Sequence, residues 1–414
     1  MRAVVAGGGV GGLACAQGLA RHGIDVTVIE PDTELHATGG YKLHLGGDAV
    51  EALRELLPPA NVEALLGSSV ATRGFAMVLR DHRGRRLLRA TESPGDLALD
   101  VDRITLRELL ARGLGERLLL GRRCVDWHEH TDGVTAVLDD GSTLDTDVLV
   151  IADGANSSLA GQLAGAATSA PCGLIGIAGR SGWTDLSPSA QALLSGEPML
   201  AIGPGGTGLF ATHHDPAGRA AIRTGLAAPF TTRPVAIWGL LALEKTLPIR
   251  PSILPADQLQ AMSVQLLRAH RWGTSLIEMI EKSDNASIAA FRLNAADPER
   301  IAPWQAGRVT ALGDAVHAMP PTGGQGAATA VLDALDLVNE LHAAANATKT
   351  LVVAIHDYEA RLRIRGAGAV SESLQPIRWI RSSASPVGGA MLRAATPLIA
   401  GGGVLLRKAL RQSR

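Results

Sequence analysis

Short uninterrupted apolar runs, strict alternation and helical spacing follow one another along the chain, and each switch predicts an element. Residues 2–6 form an apolar run with β-branched Val4 and Val5, the mark of a strand buried on both faces. Glycines break it, Leu13 to His22 has helical spacing, and Asp25 to Ile29 is a second strand ending in Glu30. Pro31 to Gly40 is a polar loop. Tyr41 to Leu45 alternates as a short strand, and Asp48 to Leu57 is an amphipathic helix stopped by Pro58-Pro59. Phe75 to Leu79 and Arg86 to Arg89 flank Asp81-His-Arg-Gly84, a hairpin with a polar tip. Asp102 to Ala111 is a helix with one apolar face. Val134 to Leu138, Gly141-Ser142 and Leu144 to Ile151 make a hairpin feeding a buried strand.

From Gly173 to Ala242 short β-rich runs alternate with glycine and proline turns, as in an antiparallel sheet. A helix over Asp257–Lys282, a strand over Ser287–Leu293 and a buried strand over Arg308–Leu312 follow. A long helix from about Ala328 to Ala343 and an amphipathic one over Leu351–Arg365 complete the series. There is no internal repeat or low-complexity tract.

Length and composition narrow this picture. A chain of 414 residues exceeds what one core usually covers, so two lobes are expected. Its 39 basic and 40 acidic residues leave a formal charge of −1, which gives no electrostatic reason to expect nucleic acid or an anionic membrane. Cys15, Cys124 and Cys172 are far apart without a CxxC, so neither a disulfide framework nor a zinc site is expected. No run reaches the roughly 18 apolar residues of a membrane span. The closest, Ala394 to Leu406, contains Pro397 and three glycines and reads as a packed tail, with a membrane-surface role as the alternative. The expected setting is cytoplasmic.

The candidate chemistry sits at strand ends. Gly7-x-Gly9-x-x-Gly12 lies between a strand and a helix and is followed by a strand ending in an acid. Gly7 permits the turn, Gly9 lets a pyrophosphate approach the backbone, and Gly12 lets helix and strand pack closely. The helix's unpaired N–H groups face the phosphates, and Glu30 is placed to accept from a ribose diol. Val148 to Ile151 runs into Asp153-Gly154, and Arg308 to Leu312 into Gly313-Asp314, followed by Pro320-Pro321-Thr-Gly-Gly-Gln-Gly-Ala327 and a helix. A second Gly203-x-Gly205-x-x-Gly208 leads into another strand instead of a helix and reads as a hairpin turn. His213 and His214 are adjacent in a strand and point to opposite faces, so they do not share an ion. His128 and His130 lack a third ligand, and no metal site is expected. The cluster Arg80, Arg83, Arg85 and Arg86 reads as a solvated tip.

These three strand-end sites, with Glu30 and Arg103, resemble the single-component FAD monooxygenases, the p-hydroxybenzoate hydroxylase-like flavoprotein family. The most specific stretches are Val148-Leu-Val-Ile-Ala-Asp-Gly-Ala-Asn-Ser-Ser158 and Pro303-Trp304 to Asp333-Ala334, and the resemblance covers most of residues 1–345. It implies an α/β fold: a Rossmann-like FAD-binding lobe over 1–70, 97–168 and 284–345, an antiparallel-sheet substrate lobe over 71–96 and 169–283, and a C-terminal helical segment over 346–414. It implies that Gly7, Gly9, Val10, Gly11 and Gly12 hold the pyrophosphate, Glu30 the adenosine ribose, Arg103 the FAD chain and Asp314 the ribityl hydroxyls. Pro321, Gly324, Gln325, Gly326 and Ala327 lie beside the isoalloxazine, and Asp153 takes part in handling FAD and NAD(P)H.

The activity implied is that of an oxidoreductase. NADPH or NADH reduces the flavin, O2 is captured as a C4a-hydroperoxide, and an aromatic or polyketide-like small molecule of secondary metabolism is hydroxylated or epoxidised, by a monomer or homodimer. No protein nucleophile is required. Tyr41, His44, Phe210, His213 and Met319 are the expected pocket-lining residues. The chain departs from the family pattern at Ala160 and Ala328, where arginine and asparagine are usual, and in lacking an arginine between Glu30 and Gly40, with Lys42 nearby. The departures at Ala160 and Ala328 motivate an alternative, a flavin-scaffolded non-redox cyclase or isomerase; a geranylgeranyl-reductase-like hydride donor and a regulatory flavin- or nucleotide-binding module are further readings. A halogenase is disfavoured because Trp-x-Trp-x-Ile-Pro is absent.

Overall fold

The computed structural model describes residues 1–36, 42–73, 76–91, 97–215, 233–247 and 254–385. The expected apolar tail over Ala394–Leu406 lies outside them, as do Tyr41 and Phe75.

Four apolar runs with few polar interruptions become the middle of a parallel sheet. Its strands lie in the order Val309–Ala311, Val148–Ile151, Arg2–Ala6, Asp25–Glu30, Leu118–Leu120, and every pairing is parallel. Val148, Leu149, Val150 and Ile151 are all fully buried, as strands covered on both faces must be. The crossover between the first two strands is the helix Val10–Arg21, which packs on the long helix Gly326–Ala345. The chain order reverses beside Arg2–Ala6, so the ends of that strand and of Val148–Ile151 open into a crevice, the place where such sheets bind ligands.

The β-rich middle forms a seven-stranded sheet in the order Ala289–Ala295, Ala170–Gly182, Val235–Leu243, Thr207–His214, Met199–Gly203, Ala76–Asp81, Arg86–Thr91. All its pairings are antiparallel except Met199–Gly203 with Ala76–Asp81. The hairpin Ala76–Thr91 therefore leaves the region of the parallel sheet and completes this second sheet. One face packs on helices Ala256–Ala269 and Thr274–Glu281 through Leu209, Ala211, Trp238 and Leu267. The other face meets Ile377 and Ile380 of the C-terminal helix through Leu200, Leu241 and half-buried Phe210. A third, small antiparallel sheet, Lys42–Leu45, Leu97–Asp102 and Val70–Arg73, stands between the two large ones.

Several elements differ from the sequence pattern. The helix expected over Asp257–Lys282 is two helices, broken at Arg271, which has a positive φ of 56°, and at Gly273, while Trp272 between them is buried. The helix expected to end at Arg365 runs from Leu351 to Ser382, through Pro376. Its later turns face protein on several sides, so one-sided periodicity fades although the helix continues. Pro58-Pro59 does stop a helix, Gly47–Leu56, but Pro59 then opens another, Pro59–Gly67, because its fixed φ suits a first helical position. The arginine-rich hairpin tip is self-contained: Asp81 accepts from the Arg83 and Arg85 amides and from Arg85 Nε, and Arg80 donates to the Gly84 carbonyl. The second glycine pattern is a turn: Gly203 pairs with Thr207, and Gly205 and Gly206 have φ of 73° and 71°.

Candidate active site

The first glycine turn has the shape its sequence requires. Gly7 has φ of 124° and donates to the Ile29 carbonyl at 2.8 Å. A Cβ there would collide with the Ala152 carbonyl, and one on Gly12 would collide with the Gly7 carbonyl. A Cβ on Gly9 would meet nothing within 4 Å. Space is thus filled behind the turn and open in front of it, where Gly9 precedes a helix whose first N–H groups receive no side-chain cap. That combination fits an anionic group drawn to the helix N-terminus.

Glu30 is buried and holds the turn. Its Oε2 accepts from the Gly8 amide at 2.7 Å and pairs with Arg107 at 3.1 Å, and its Oε1 accepts from the Asp32 amide at 2.8 Å. Arg107, 5% exposed, also donates through Nε to the Gly8 carbonyl at 2.8 Å and pairs with Asp32 at 2.7 Å. The sequence reading assigned Arg107 nothing. The available signal was a guanidinium on the apolar stripe of helix Arg103–Ala111, four residues from both ends of that helix.

The other two strand ends converge on the same crevice. Asp153-Gly154 follows Val148–Ile151 and packs against the Gly7 turn. Burial pushes the Asp153 carboxyl above the usual carboxylate range, against the hydrogen bond from Ser157. Gly313-Asp314 follows Val309–Ala311, with Gly313 at φ 63°. The Asp314 side chain reaches open space yet is ringed by protein, as a group on the wall of a deep cleft is. Desolvation pushes its carboxyl up, while His317 and Arg103 act to lower it. Arg103 opens the helix that Asp102 caps: Asp102 Oδ1 accepts from the Ile104 and Thr105 amides at 3.1 and 3.0 Å. A Cβ on Gly326 would stand 3.8 Å from both Asp314 Oδ1 and Met319 Cγ, so the glycine loop, Met319 and Asp314 share one wall.

This wall is braced from behind. Asp333 Oδ2 accepts from the Gly313 amide at 3.1 Å and bonds His317 Nε2 at 2.5 Å, while Asp333 Oδ1 pairs with Arg365 at 2.8 Å. Burial acts to lower the His317 pKa, but the Asp333 carboxylate overrides it and raises it. Burial likewise acts to raise Asp333, and His317 and Arg365 hold it low. The C-terminal helix fixes the glycine loop itself: Thr322 donates to the Ser373 carbonyl at 2.6 Å and Gln325 to Glu372 at 2.7 Å. Gly326–Ala345 then starts, like Val10–Arg21, with no side-chain cap.

Of the expected pocket-lining residues, Met319 lies at the glycine loop and Phe210 on the sheet face turned to the C-terminal helix. His44 bonds Asp100 through Nδ1 at 2.8 Å in the small sheet. Tyr41 is outside the described residues. His213 is placed differently: it stacks on Trp183 with centroids 3.8 Å apart, on the opposite face of its strand from Thr212, which receives a bond from Lys42 at 3.0 Å. Strand alternation sends the two neighbours of His213, not His213 itself, toward the small sheet.

Known proteins match this arrangement. Residues 1–209, just over half the chain, match the family described as pyridine nucleotide-disulphide oxidoreductase, and residues 276–372 match the FAD binding domain family. A solved structure of a candidate FAD containing monooxygenase from Photorhabdus luminescens subsp. laumondii is 29% identical. It covers 91% of this chain and 98% of its own, with a TM-score of 0.77. The chain belongs to the FAD-dependent monooxygenases. Among relatives of this family, zeaxanthin epoxidase of Solanum lycopersicum is 24% identical over 88% of this chain and 52% of its own length. The dual O-methyltransferase/FAD-dependent monooxygenase CTB3 of Cercospora beticola is 27% identical over 87% of this chain and 44% of its own. The chain thus spans about half the length of these plant and fungal relatives. The disulphide part of the first family's description has no counterpart here. Cys15, Cys124 and Cys172 are free and buried, and burial pushes the Cys15 thiol up to about 12 and Cys124 up to about 11, far from a reactive thiolate. Among the described residues no helix is long and apolar enough to cross a membrane, and no group of three His, Cys, Asp or Glu could hold a metal ion.

Proposed function

We propose that this flavoprotein monooxygenase uses NADPH or NADH and O2 to hydroxylate or epoxidise an aromatic or polyketide-like small molecule, acting as a cytoplasmic monomer or homodimer. The observation that carries the reading is convergence. A phosphate-accepting turn, a ribose-facing acid, Arg103 opposite Asp314, and a second uncapped helix N-terminus all border one crevice beneath the seven-stranded sheet. Bound FAD would supply hydride acceptance from the nicotinamide and activation of O2. The protein's own residues do the rest. The amides from Gly9 to Gly12 would hold the pyrophosphate, and Glu30, already fixed by Arg107, would accept from the adenosine ribose. Asp314 and Arg103 would contact the ribityl chain.

Asp153 would take part in handling FAD and the nicotinamide. Pro321 and Gly324–Ala327 would lie beside the isoalloxazine, and the N-terminus of helix Gly326–Ala345 would favour negative charge there. The seven-stranded sheet would close the crevice against water, which a reactive oxygen-transfer step requires. The non-redox scaffold is disfavoured, since the family's relatives are oxygenases. The test is a panel of ring and polyene substrates with NADPH under isotopically heavy O2. One heavy atom per product with one NADPH consumed supports the reading. A converted product carrying no heavy oxygen, formed without NADPH, contradicts it.

A further inference from the structure

The strands of the seven-stranded sheet contain glycines over which the protein seats its own side chains. Rings lie over three of them, Phe291 over Gly176, Trp238 over Gly179 and Trp272 over Gly203, and Ile380 lies over Gly208. A Cβ at any of these positions would collide with the side chain that covers it. Gly239 differs. It sits in the middle of Val235–Leu243 with a strand paired on each side, yet a Cβ there would meet nothing within 4 Å among the described residues. From Ala236 to Leu243 every residue is buried except Gly239, which is half-buried. Its φ lies outside the left-handed region, so the backbone does not require glycine either. A glycine inside a strand weakens it. Where neither conformation nor packing calls for one, the close approach of another group does.

The hollow over Gly239 lies on the sheet face that carries half-buried Phe210, its partner across the ladder. One row away on this face, Ile380 and Phe291 cover Gly208 and Gly176, which pair with Leu241 on either side. One row away in the other direction Thr212 pairs with Ile237 and receives the Lys42 bond at 3.0 Å. Lys42 also donates to Asp100 Oδ2 at 2.7 Å, and this seam between the small sheet and strand Thr207–His214, with His214 buried in it, closes that side. Side chains on one face recur about every 7 Å along a strand, so the open row is a slot of about that width. Both borders of the slot lead to the glycine loop. Thr322 of the loop donates to the Ser373 carbonyl, about two helical turns before Ile380 on the C-terminal helix. Strand Lys42–Leu45 packs on helix Gly326–Ala345, which the loop opens.

We propose that Gly239 is a specificity-determining residue of this crevice, seating the face of a planar aromatic substrate ring against the strand backbone beside Phe210. The protein already seats three of its own rings over glycines of this sheet, and the vacancy at Gly239 is complementary to a fourth supplied from outside. A saturated ring carries hydrogens on both faces and stands off from the backbone, so it fills the slot less well. This assignment rests on the monooxygenase reading above and selects, within it, a flat aromatic substrate.

The experiment titrates the oxidised, FAD-loaded protein with phenol and cyclohexanol, and with 2-naphthol and decahydro-2-naphthol. Each pair shares a carbon skeleton and a hydroxyl and differs in flatness. Binding is followed by calorimetry and by the flavin difference spectrum. At least one flat member should bind about 2- to 12-fold more tightly than its saturated counterpart, the worth of an aromatic contact, and should perturb the flavin spectrum. Gly239→Val fills the slot and should weaken that ligand by about 5- to 150-fold, and Gly239→Ala by less. Both variants should keep full FAD content and an unchanged or raised Tm, because a side chain suits a strand interior better than glycine when nothing stands over it. A lowered Tm in both variants would show that protein fills the slot, and overturns the assignment. Equal binding of flat and saturated members, no binding of either flat ligand, an unperturbed flavin spectrum, or affinity unchanged in Gly239→Val overturns it too. Because binding is read on oxidised protein, these outcomes are separate from NADPH and O2 consumption, which test the monooxygenase reading.

Discussion

The crevice at the ends of the parallel strands and the seam beside it are built by different means. The crevice is made mostly of backbone. Its geometry depends on glycines that cannot carry a Cβ, on helix N-termini and on acids one or two residues past a strand. All of these are local in sequence, so the order strand, turn, helix and acid carries the information. The seam is made of side chains. Lys42, Asp100, Thr212 and His214 come from three strands as many as 172 positions apart, and only the packing of one sheet on another brings them together. Local pattern can announce a backbone site; a side-chain cluster needs the fold.

The sharpest way to break this contrast is at a glycine. Gly7→Val forces a β-branched side chain onto φ of 124° and into the Ala152 carbonyl. The purified variant is expected to hold essentially no FAD, as read from its visible spectrum. Full FAD occupancy would show that the turn does not need its backbone shape.

The brace behind the crevice comes next. Asp333→Ala leaves fully buried His317 without its partner and Arg365 with Asp336 alone, and should cost about 3–5 kcal/mol, measured by denaturant unfolding. Its pH dependence has a definite sign. The raised His317 pKa contributes stability fully below its ordinary value of about 6.5, and this is lost as pH climbs through the folded value. The lowered Asp333 pKa contributes above its ordinary value of about 3.8 and is lost as pH falls through the folded value. Stability that declines above pH 6.5 in the unaltered protein, and a flatter profile in Asp333→Ala, is the expected pair of curves.

Asp314→Ala removes a charged partner for the ribityl chain without leaving a charge stranded in the protein interior. FAD affinity should fall by about 10- to 100-fold, the worth of a hydrogen bond to a charged group, with the fold retained. The smallest effect separates two adjacent histidines. His213→Ala removes the stack on Trp183 and should cost about 0.5–1.5 kcal/mol of stability, measured by denaturant unfolding, while leaving FAD content unchanged. If His213→Ala emptied the protein of FAD, the two faces of the strand would have been assigned the wrong way round.

These comparisons also mark what the sequence could and could not reveal. The turn at Gly7, the acid at Glu30, the Gly313-Asp314 end and even the decoy turn at Gly203 were readable because each follows from what a backbone can do at that residue. Arg107 was not, since its role depends on Glu30 and Asp32 reaching it from another strand and loop. The break at Arg271 was missed because buried Trp272 and the apolar residues around it keep the helical period across a kink. The face His213 takes could not be read, because alternation fixes only that two neighbours part, and sheet packing decides which way each one turns.

The most direct test of the central claim is the visible spectrum of the purified protein, recorded without oxygen before and after NADPH, with NADH as control, and again after air is admitted. A yellow protein whose flavin bleaches with a reduced nicotinamide and recovers in air is the predicted result. A protein that binds no flavin when reconstituted with FAD, or one whose flavin stays oxidised with both nicotinamides even when ring substrates are present, would contradict it.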